Sequence, residues 1–521
     1  MMFPGMKDLA AIGPQLLLTG FGVIVLLFGA AVPKLSARFL AAITLVGLVA
    51  AAIPAVSQFS VGGEATPVMQ GMLMADTFTA FATLVLLLGT AISVLLSVRF
   101  LEREDLEHPE YFALMLFATL GGVVMASSIN LITLFIGLEV LSIPLYILAG
   151  YDSVKRRSNS NEASLKYFLL GSFASAFFLY GIALLYGATG TINVQEIATT
   201  LGDTRAGGAS PEKNNLLLAG LGLLLVGFSF KVAVVPFHFW APDVYEGSPT
   251  PVTAFMSVLA KTAGFAAFVR VLTLSVQEYT LQVNLSAVLA SLAALTMLFG
   301  NVVAVVQPNI KRMLAYSSVA HAGYMLAGVV AAVRPSGAFG AAGLGPSGAV
   351  SAILLYSLAY TVSNLGAFAV LISLRKNGDE VLEIKDFAGL GKRHPWAAAM
   401  MALFMLSLAG LPPSAGFFAK LFIIQSLVAM NSPLIWLIVL LVLTSTVSFF
   451  YYLGVVRAMY MDSGEERDSP VLEADLGLRF GLALAVAGTV FLGIWSGSAM
   501  GWAEQASRQL IESGSSASAM R

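Results

Sequence analysis

The sequence contains no cysteine, and only four of its 521 residues are histidine. The absence of cysteine excludes disulfide bonds, thiolate-bound iron–sulfur clusters and zinc–thiolate sites within the chain. Charge is also scarce, because Asp, Glu, Lys and Arg together make up 11% of the residues, less than half the share usual in soluble domains. Hydrophobic residues make up 58%. This composition predicts a membrane protein.

Long apolar runs follow one another along almost the whole chain. A helix needs about 20 mostly apolar residues to span a membrane, and these runs are too continuous for barrel strands, which alternate every second residue. We therefore predict an all-α integral membrane protein of about 14 transmembrane helices. The predicted helices 1 to 14 cover 9–32, 38–60, 76–100, 110–129, 131–150, 165–190, 214–238, 250–275, 284–307, 313–333, 346–374, 396–428, 433–457 and 478–502.

The chain ends are predicted from composition alone. The apolar N-terminus predicts a first membrane helix rather than a removed signal peptide. The serine-rich stretch 513–518 predicts a disordered tail. No connection is long enough for a separate soluble domain with its own core, and the longest cover 191–213 and 458–477.

Lysine and arginine gather in alternate loops. Basic residues favour the cytoplasmic side, so the pattern predicts both termini on the periplasmic side of a bacterial inner membrane. The inward loop after predicted helix 7 is an exception, since it has Asp243 and Glu246 but no Lys or Arg. The basic inward clusters lie at 34–38, 99–103, 155–157, 311–312, 375–393 and 457–467.

Four ionisable residues lie inside apolar runs: Glu139, Lys231, Lys261 and Lys420, in predicted helices 5, 7, 8 and 12. Each charge costs about 3 kcal/mol or more in lipid, and such residues normally face a bundle interior or a hydrated path for ions. Static ion pairing is the alternative, but one glutamate matches only one of three lysines. The set predicts a proton path.

The chemistry of these residue types suits proton transfer. Burial lowers the pKa of a lysine amine and a nearby carboxylate raises it, so a change at the acid switches the base. Polar side chains recur at helical spacing beside the four charges, although hydrogen bonding between helices is the simpler explanation for any one of them. They are Ser142, Tyr146, Ser257, Ser317, His321, Tyr324, Tyr356, Tyr360 and Asn364.

Three further residues are candidate relays. Lys166 lies near the inner end of predicted helix 6 and would otherwise extend to the membrane surface. His238 and His321 are candidates because the histidine side chain ordinarily titrates near neutral pH, although a lone histidine is more often a hydrogen-bonded core residue.

Prolines interrupt two of the predicted helices next to a buried lysine. Pro236 follows Lys231, and Pro412 and Pro413 precede Lys420. An interior proline bends a helix and frees a carbonyl group. Broken helices beside buried charges are typical of ion-transport sites.

Four stretches resemble the antiporter-like proton-channel subunits of respiratory NADH–quinone oxidoreductase (complex I). They are LEVLSIPLYILAGY around Glu139, EASLKYFLLGSFASAFFLYG in predicted helix 6, FKVAVVPFHFWAPDVYEGSPTPVTAFMSVLAK from Lys231 to Lys261, and NIKRMLAYSSVAHAGYML around His321. The resemblance covers about residues 75–460. The last stretch also resembles subunits of cation/proton antiporters and membrane-bound hydrogenases.

Within this superfamily the chain is most similar to the subunit N type. Lys261 stands where the larger subunits typically have histidine, and Lys420 stands where the M type has glutamate. The chain also ends soon after predicted helix 14, without the long lateral helix of the L type.

The resemblance implies a fold of two inverted five-helix repeats, with helices 7 and 12 broken. The first repeat, with helices 4–8, would cover 110–275, and the second, with helices 9–13, would cover 276–457. Helices 1–3 would occupy 1–109. A loop, helix 14 and a short tail would occupy 458–521.

The resemblance also implies roles for the buried charges. Glu139 and Lys231 would form an interacting pair, Lys261 would be a central relay, and Lys420 would connect to the opposite side or to an adjacent subunit. The chain would be an enzyme subunit without a redox centre or metal. NADH, FMN, iron–sulfur clusters and quinone would belong to partner subunits. Adjacent antiporter-like and small subunits and the lipid bilayer would be its partners, and no nucleic acid is expected.

Other classes of protein predict different features. A subunit of a cation/proton antiporter would depend on sodium and have no link to NADH. A solitary transporter would need a mixed polar pocket for its substrate. A haem subunit would need paired histidines on facing helices, but His108 and His394 lie in or near loops.

Overall fold

A computed structural model of the chain describes residues 6–32, 35–61, 65–152, 157–206, 211–276, 278–334, 346–376, 378–430, 432–462 and 470–519. Helices make up most of this part of the chain. In chain order they are α1 (Met6–Ala11), α2 (Gly13–Ala31), α3 (Ala37–Val61), α4 (Thr77–Glu104), α5 (Pro109–Ser127), α6 (Leu131–Ala149), α7 (Arg157–Thr189), α8 (Val194–Ala206), α9 (Pro211–Lys231), α10 (Trp240–Gly247), α11 (Thr250–Ser275), α12 (Tyr279–Val305), α13 (Ile310–Val333), α14 (Pro346–Ser373), α15 (Leu390–Arg393), α16 (Pro395–Ala409), α17 (Ala415–Val428), α18 (Ile435–Tyr460), α19 (Leu476–Ile494) and α20 (Ser496–Ala519).

Twelve helices within the described residues are long and apolar enough to cross a membrane. They are α2 to α7, α11 to α14, α18 and α19, and they coincide with predicted helices 1–6, 8–11, 13 and 14. The other two predicted helices are broken. Predicted helix 7 ends early, with α9 at Lys231, and the short helix α10 begins beyond its predicted end at residue 238. Predicted helix 12 divides into α16 and α17. The all-α membrane fold is therefore confirmed.

Several helices begin where a short polar side chain satisfies the first free backbone N–H groups. The Asn130 side chain accepts hydrogen bonds from the second and third backbone N–H groups of α6, and Asn309 does the same for α13. Asp76 caps α4 through the N–H of Thr79 (2.7 Å). These caps fix where each apolar run enters the bundle.

Two small sheets lie at opposite ends of the bundle. On one side, β1 (Thr66–Val68) and β2 (Leu73–Ala75) form a hairpin. On the other, β3 (Leu374–Lys376) pairs with both β4 (Asp379–Glu380) and β5 (Val471–Leu472). The second side carries the predicted inward loops, and we call it the inner face. The basic positions 34, 155, 156 and 467 lie outside the described residues.

The predicted disorder of the C-terminal tail is wrong. The backbone of α20 is helical from Ser496 to Ala519. Its residues Ala499, Ala503, Ala506 and Leu510 follow helical spacing and are fully buried. Because this apolar stripe packs on the bundle, the helix is held despite the serine-rich sequence beyond it.

The centre of the bundle is α11. Of its residues, only Thr273 is partly exposed, and all the others are buried. It lies against α4, α5, α13 and α14. A helix enclosed on all sides can carry charged side chains far from lipid, and α11 carries two of them, Lys261 and Arg270.

Candidate functional site

Lys231 is the last residue of α9, and its side chain is buried. Its Nζ donates a hydrogen bond to Ser142 Oγ of α6 (2.7 Å) and lies 5.9 Å from the ring centroid of Tyr167. The helix ends here because Ala233 adopts a left-handed conformation, with φ of 59°. Beyond it, the Val235 N–H donates to Thr296 Oγ1 of α12 (3.1 Å), which satisfies a backbone group released by the break.

Glu139 lies on α6 one turn before Ser142 and accepts a hydrogen bond from Ser175 of α7. Within the described residues it forms no ion pair with Lys231 at 4.0 Å or less. A cavity of about 10 Å³ is lined by Lys231, by Ser142, which binds the amine, and by Ser175, which binds Glu139. A cavity of this size holds about one water. The pair implied by the family resemblance is thus indirect.

Glu139 also lies on the side of α6 that faces away from the rest of this chain. Its side chain is partly exposed, and Ile136 and Ile143, on the same helical face, are 54% and 51% exposed. The acid is therefore at the flank of this chain rather than at its centre.

Lys261 lies at the centre of α11. Its Nζ donates to both the backbone carbonyl and the hydroxyl of Ser318 on α13, the latter at 2.8 Å. It lies 5.0 Å from the ring centroid of Tyr360 on α14. The Ser318 hydroxyl is 3.4 Å from the hydroxyl of Tyr245 on α10. Lys261 thus joins helices of the first and second halves of the chain.

Aromatic side chains fill the space between Lys231 and Lys261. The Tyr167 ring stacks on Trp240 with centroids 4.5 Å apart, and Trp240 packs in turn against Tyr245. The Tyr167 hydroxyl is buried without a hydrogen-bond partner in the described part of the chain. Buried hydroxyls of this kind are normally satisfied by ordered water.

His321 joins three helices. Its Nδ1 shares a hydrogen bond with the hydroxyl of Tyr356 on α14 (2.6 Å), and its Nε2 shares one with Tyr452 on α18 (3.1 Å). Tyr452 also bonds Ser317, one turn before the histidine. The centroid of the imidazole ring lies 5.0 Å from that of Tyr360 and 5.8 Å from that of Tyr324.

Lys420 lies on α17, but its amine reaches back to the end of α16. The Nζ donates to the carbonyl groups of Ala409 (2.7 Å) and Leu408 (3.3 Å) and to Ser445 Oγ (2.9 Å). It lies 4.9 Å from the ring centroid of Tyr324. The C-terminal end of a helix carries partial negative charge, which stabilises a cation there.

The two broken helices therefore place their lysine amines alike. Lys231 is the last residue of α9, and the Lys420 amine caps the last carbonyls of α16. Each lysine is thus associated with the C-terminal end of the first half of a broken helix, Lys231 by its position in the chain and Lys420 through its amine. This explains why proline follows one lysine and precedes the other in the sequence.

Lys166 lies apart from this buried line. Its Nζ bonds Asp243 (2.7 Å) and Glu162 (2.7 Å), while Arg312 bonds Asp243 (3.0 Å) and Glu246 (2.7 Å). We call these five residues the inner charge cluster. They line a cavity of about 230 Å³ that opens on the inner face.

His238 follows the break after α9 and packs edge-on against Phe299, with ring centroids 4.6 Å apart. Its Nδ1 is buried without a partner among the described residues. It does not contact the line from Lys231 to Lys420. Within the same residues, no group of three or more His, Asp or Glu side chains is arranged to hold a metal ion.

The sequence patterns do not predict a place in the site for Ser175, Ser318, Tyr452 or Ser445. Ser318 follows Ser317 directly, so the stripe on predicted helix 10 was recognised but its contact to Lys261 was not. Ser445 and Tyr452 lie in the run TSTVSFFYY of predicted helix 13. The hydroxyl groups of that run were the available signal.

A bundle with two broken helices and a buried line of amines and hydroxyls defines an antiporter-like ion-translocating membrane protein. A family model described as "NADH:quinone oxidoreductase/Mrp antiporter, TM" matches residues 128–447. The chain is 42% identical to NADH-quinone oxidoreductase subunit N of Trichlorobacter lovleyi, covering 96% of this chain and 97% of that one. It is 44% identical to subunit N of Myxococcus xanthus, covering 93% and 96%. The chain belongs to the subunit N family of NADH-quinone oxidoreductases.

Solved structures agree with this fold. A chain of respiratory complex I from Thermus thermophilus superimposes with a TM-score of 0.74 at 34% identity, covering 94% of this chain and 98% of that one. A chain of an archaeal membrane-bound sulfane sulfur reductase gives a TM-score of 0.81 at 26% identity, covering 97% and 98%. A chain of the Mrp complex from a Dietzia species gives 0.80 at 21% identity, covering 99% of both, which shows a shared fold.

Proposed function

We propose that this chain carries protons through a bacterial inner membrane as a subunit of an NADH:quinone oxidoreductase. The observation that carries the proposal is the buried line from Lys231 through Lys261 and His321 to Lys420. The subunit N relatives and the complex I chain support the assignment to this enzyme. NADH, FMN, iron–sulfur clusters and quinone are assigned to partner subunits.

Several contacts along the line join groups that can exchange a proton. Ser318 connects Lys261 to Tyr245, and Tyr360 lies between Lys261 and His321. The Tyr360 hydroxyl and the Asn364 side-chain oxygen, like the Tyr167 hydroxyl, are buried without a partner in the described residues. Water at these atoms would complete the row, because a proton moves readily along hydrogen-bonded amines, hydroxyls and water.

Glu139 acts on Lys231 through space. A carboxylate on the far side of Ser142 and Ser175 stabilises an ammonium at Lys231 by Coulomb attraction, and this effect ends when the acid is neutralised. Since Glu139 is partly exposed on the flank, an adjacent membrane subunit can change its charge. Redox energy from a partner would enter the line here.

The chain is proposed to contain two repeats, 110–275 and 276–457, with one broken helix in each. The matching positions of the Lys231 and Lys420 amines support this division. Both termini are proposed to be periplasmic, since the basic loops meet at the opposite face.

The proposal is tested by purifying the complex that contains this chain and placing it in lipid vesicles. We expect NADH oxidation by quinone to drive proton movement without added sodium. Sodium-driven proton exchange without any response to NADH would overturn the proposal and favour a cation/proton antiporter.

Replacing Asp243 with asparagine should weaken proton entry from the inner face. The carboxylate binds both Lys166 and Arg312, so its loss leaves each cation with one acid partner, Glu162 or Glu246, and makes the inner cavity more positive. We expect the pumping rate of the assembled complex to fall about threefold, because a negatively charged entrance raises the local concentration of the cations that it attracts. The measurement is the initial rate of NADH-driven proton uptake at two ionic strengths. Glu102→Gln, which breaks an ion pair with Arg38 away from this cavity, is the matched control.

Replacing Gly410 with alanine should displace Lys420. The glycine has φ of 89°, and a Cβ there would lie 3.0 Å from Lys420 Cδ and 3.2 Å from its Nζ. A left-handed alanine costs about 1–2 kcal/mol, and the contact moves the amine from its carbonyls. We expect a pumping rate about three- to tenfold lower at an equal amount of assembled complex. Gly454→Ala is the control, because a Cβ at Gly454 meets nothing within 4 Å.

A further inference from the structure

A second buried ionic group lies toward the outer face, away from the line from Lys231 to Lys420. Arg270 and Asp76 form a two-pronged ion pair, with Nη1–Oδ2 and Nη2–Oδ1 distances of 2.8 Å. Both side chains are 0% exposed. Nothing in the proton path described above uses them, yet such a pair is costly to bury unless its geometry is fully satisfied.

Both members of the pair form further hydrogen bonds with neighbouring groups. Arg270 Nε donates to the carbonyl of Ala126 at the end of α5, and its Nη2 donates to Thr79 Oγ1, both at 2.8 Å. The guanidinium lies 4.8 Å from the ring centroid of Phe78. Asp76 Oδ1 also accepts the N–H of Thr79, as the cap of α4. The pair therefore holds α11 at one height against α4 and α5.

The adjacent residue extends this attachment to α20. The Thr77 N–H donates to Gln509 Oε1 (2.7 Å), and its hydroxyl donates to the carbonyl of Gln505 (3.1 Å). In turn, Ser507 of α20 shares a hydrogen bond with Ser351 of α14 (2.7 Å). The outer ends of α11 and α14 are thus tied to one another through α4 and α20.

The attachment point on α11 is as far from Lys261 as the attachment point on α14 is from Tyr360. Arg270 is nine residues after Lys261 on α11, and Ser351 is nine residues before Tyr360 on α14, which is about 13 Å along either helix. Nine residues make about two and a half turns, so Arg270 faces away from Lys261 and does not touch it. It acts on Lys261 only by fixing the position of α11.

We propose that Asp76 and Arg270 are a positioning pair, which sets the height of α11 and so holds Lys261 against Ser318 and Tyr360. Apolar helix contacts allow small sliding movements, whereas a two-pronged arginine–carboxylate pair has one geometry. The substitution Arg270→Lys keeps the positive charge but loses the two-pronged geometry of the guanidinium. We therefore expect α11 to shift and the contacts of Lys261 to lengthen. This inference rests on the proposed proton path through Lys261.

The test uses the whole complex in vesicles and measures pumping per assembled complex across pH. Arg270→Lys is expected to lower the rate about threefold and to move the pH at half-maximal rate, because the surroundings of the Lys261 amine change. Arg38→Lys, in the exposed pair with Glu102, is the matched control and is expected to move neither. An unchanged profile and rate in Arg270→Lys overturns the proposal.

A double-substitution cycle distinguishes positioning from general stabilisation. Ser318→Ala removes one of the two Lys261 contacts and is expected to lower the rate in part. If Arg270 acts through that contact, the combined variant loses less than the product of the two single losses, whereas independent effects multiply and contradict the proposal. If Arg270→Lys does not assemble, Asp76→Glu, which keeps the pair but lengthens it by one methylene, takes its place.

Failure of this inference is distinguishable from failure of the proton path. If Lys261→Ala pumps normally, the path through Lys261 is wrong. If Lys261→Ala does not pump while Arg270→Lys and Asp76→Glu behave as the unmodified complex, only the positioning role is overturned.

Discussion

Replacing Lys231 with alanine is expected to reduce NADH-driven proton pumping to less than about a tenth of its normal rate, a loss of more than about 1.4 kcal/mol in the barrier. The amine is the first proton-holding group of the buried line, and it donates a hydrogen bond to Ser142. Alanine removes the group that holds the proton and leaves an apolar gap beside Tyr167. NADH oxidation should fall with pumping, because the two processes are coupled.

The measurement compares quinone reduction and proton uptake in the same vesicles, with the amount of assembled complex checked by its mass on a native gel. Lys392→Ala, at an exposed lysine of the inner face, is the matched control and should leave both rates unchanged. Normal rates in Lys231→Ala would show that Lys231 is a structural residue, and the central proposal would fail. Loss of sodium-driven exchange with NADH oxidation intact would favour the antiporter alternative.

Replacing Lys420 is expected to be equally severe, and two substitutions separate its roles. Lys420→Ala removes the amine donor from the carbonyls of Leu408 and Ala409, the second of which keeps only the 3.5 Å contact from Ser445 Oγ. This loss costs about 1–3 kcal/mol in stability, and the substitution also removes the proton carrier. Lys420→Arg keeps a positive charge and several donors at the end of α16. Arginine does not release its proton in proteins, so it should restore stability but not pumping.

The check is a pair of measurements on each variant: thermal unfolding of the purified complex and NADH-driven proton uptake. We expect Lys420→Ala to lose both and Lys420→Arg to lose only pumping. If Lys420→Arg pumps normally, Lys420 acts as a fixed charge, and the line of proton carriers would end at His321.

The membrane helices were predictable because hydrocarbon demands long apolar runs, and runs such as 250–275 coincide with α11 to the residue. The breaks at Lys231 and near Gly410 were indicated by proline. The helical backbone of α20 was not foreseen, because its serine-rich end is typical of disorder when read by composition. Its stripe of small apolar residues, spaced for a helix, carries the contrary signal.

The candidate site was predicted in its charged members but not in its contacts. The four charges could be recognised because a charged side chain within a membrane costs free energy. They are Glu139, Lys231, Lys261 and Lys420. That Ser142 and Ser175 would stand between the first two depends on how α6, α7 and α9 pack, and spacing within one helix does not fix this. The role of Lys166 in an inner charge cluster also depends on Asp243 and Arg312 from distant parts of the chain.

Arg270 was not predicted as a buried charge, although the sequence contains the signal for it. It lies in the run GFAAFVRVLTLS of predicted helix 8 and met the same criterion as the lysines, but it was not singled out. Its partner, Asp76, stands at the edge of predicted helix 3, where an acidic residue reads as an ordinary helix cap. Only the fold brings the two together.

The enclosure of α11 has a consequence for how the protein is made. Two of the helices that surround it, α13 and α14, come later in the chain, so the ribosome delivers α11 to the membrane before half of its surroundings exist. Lys261 therefore lacks its partners Ser318 and Tyr360 until about residue 373 has emerged, whereas Asp76 and Ala126, which bind Arg270, are made before it. A truncated chain ending after α12 would contain the complete Asp76–Arg270 pair but would leave the Lys261 amine without its contacts to α13 and α14.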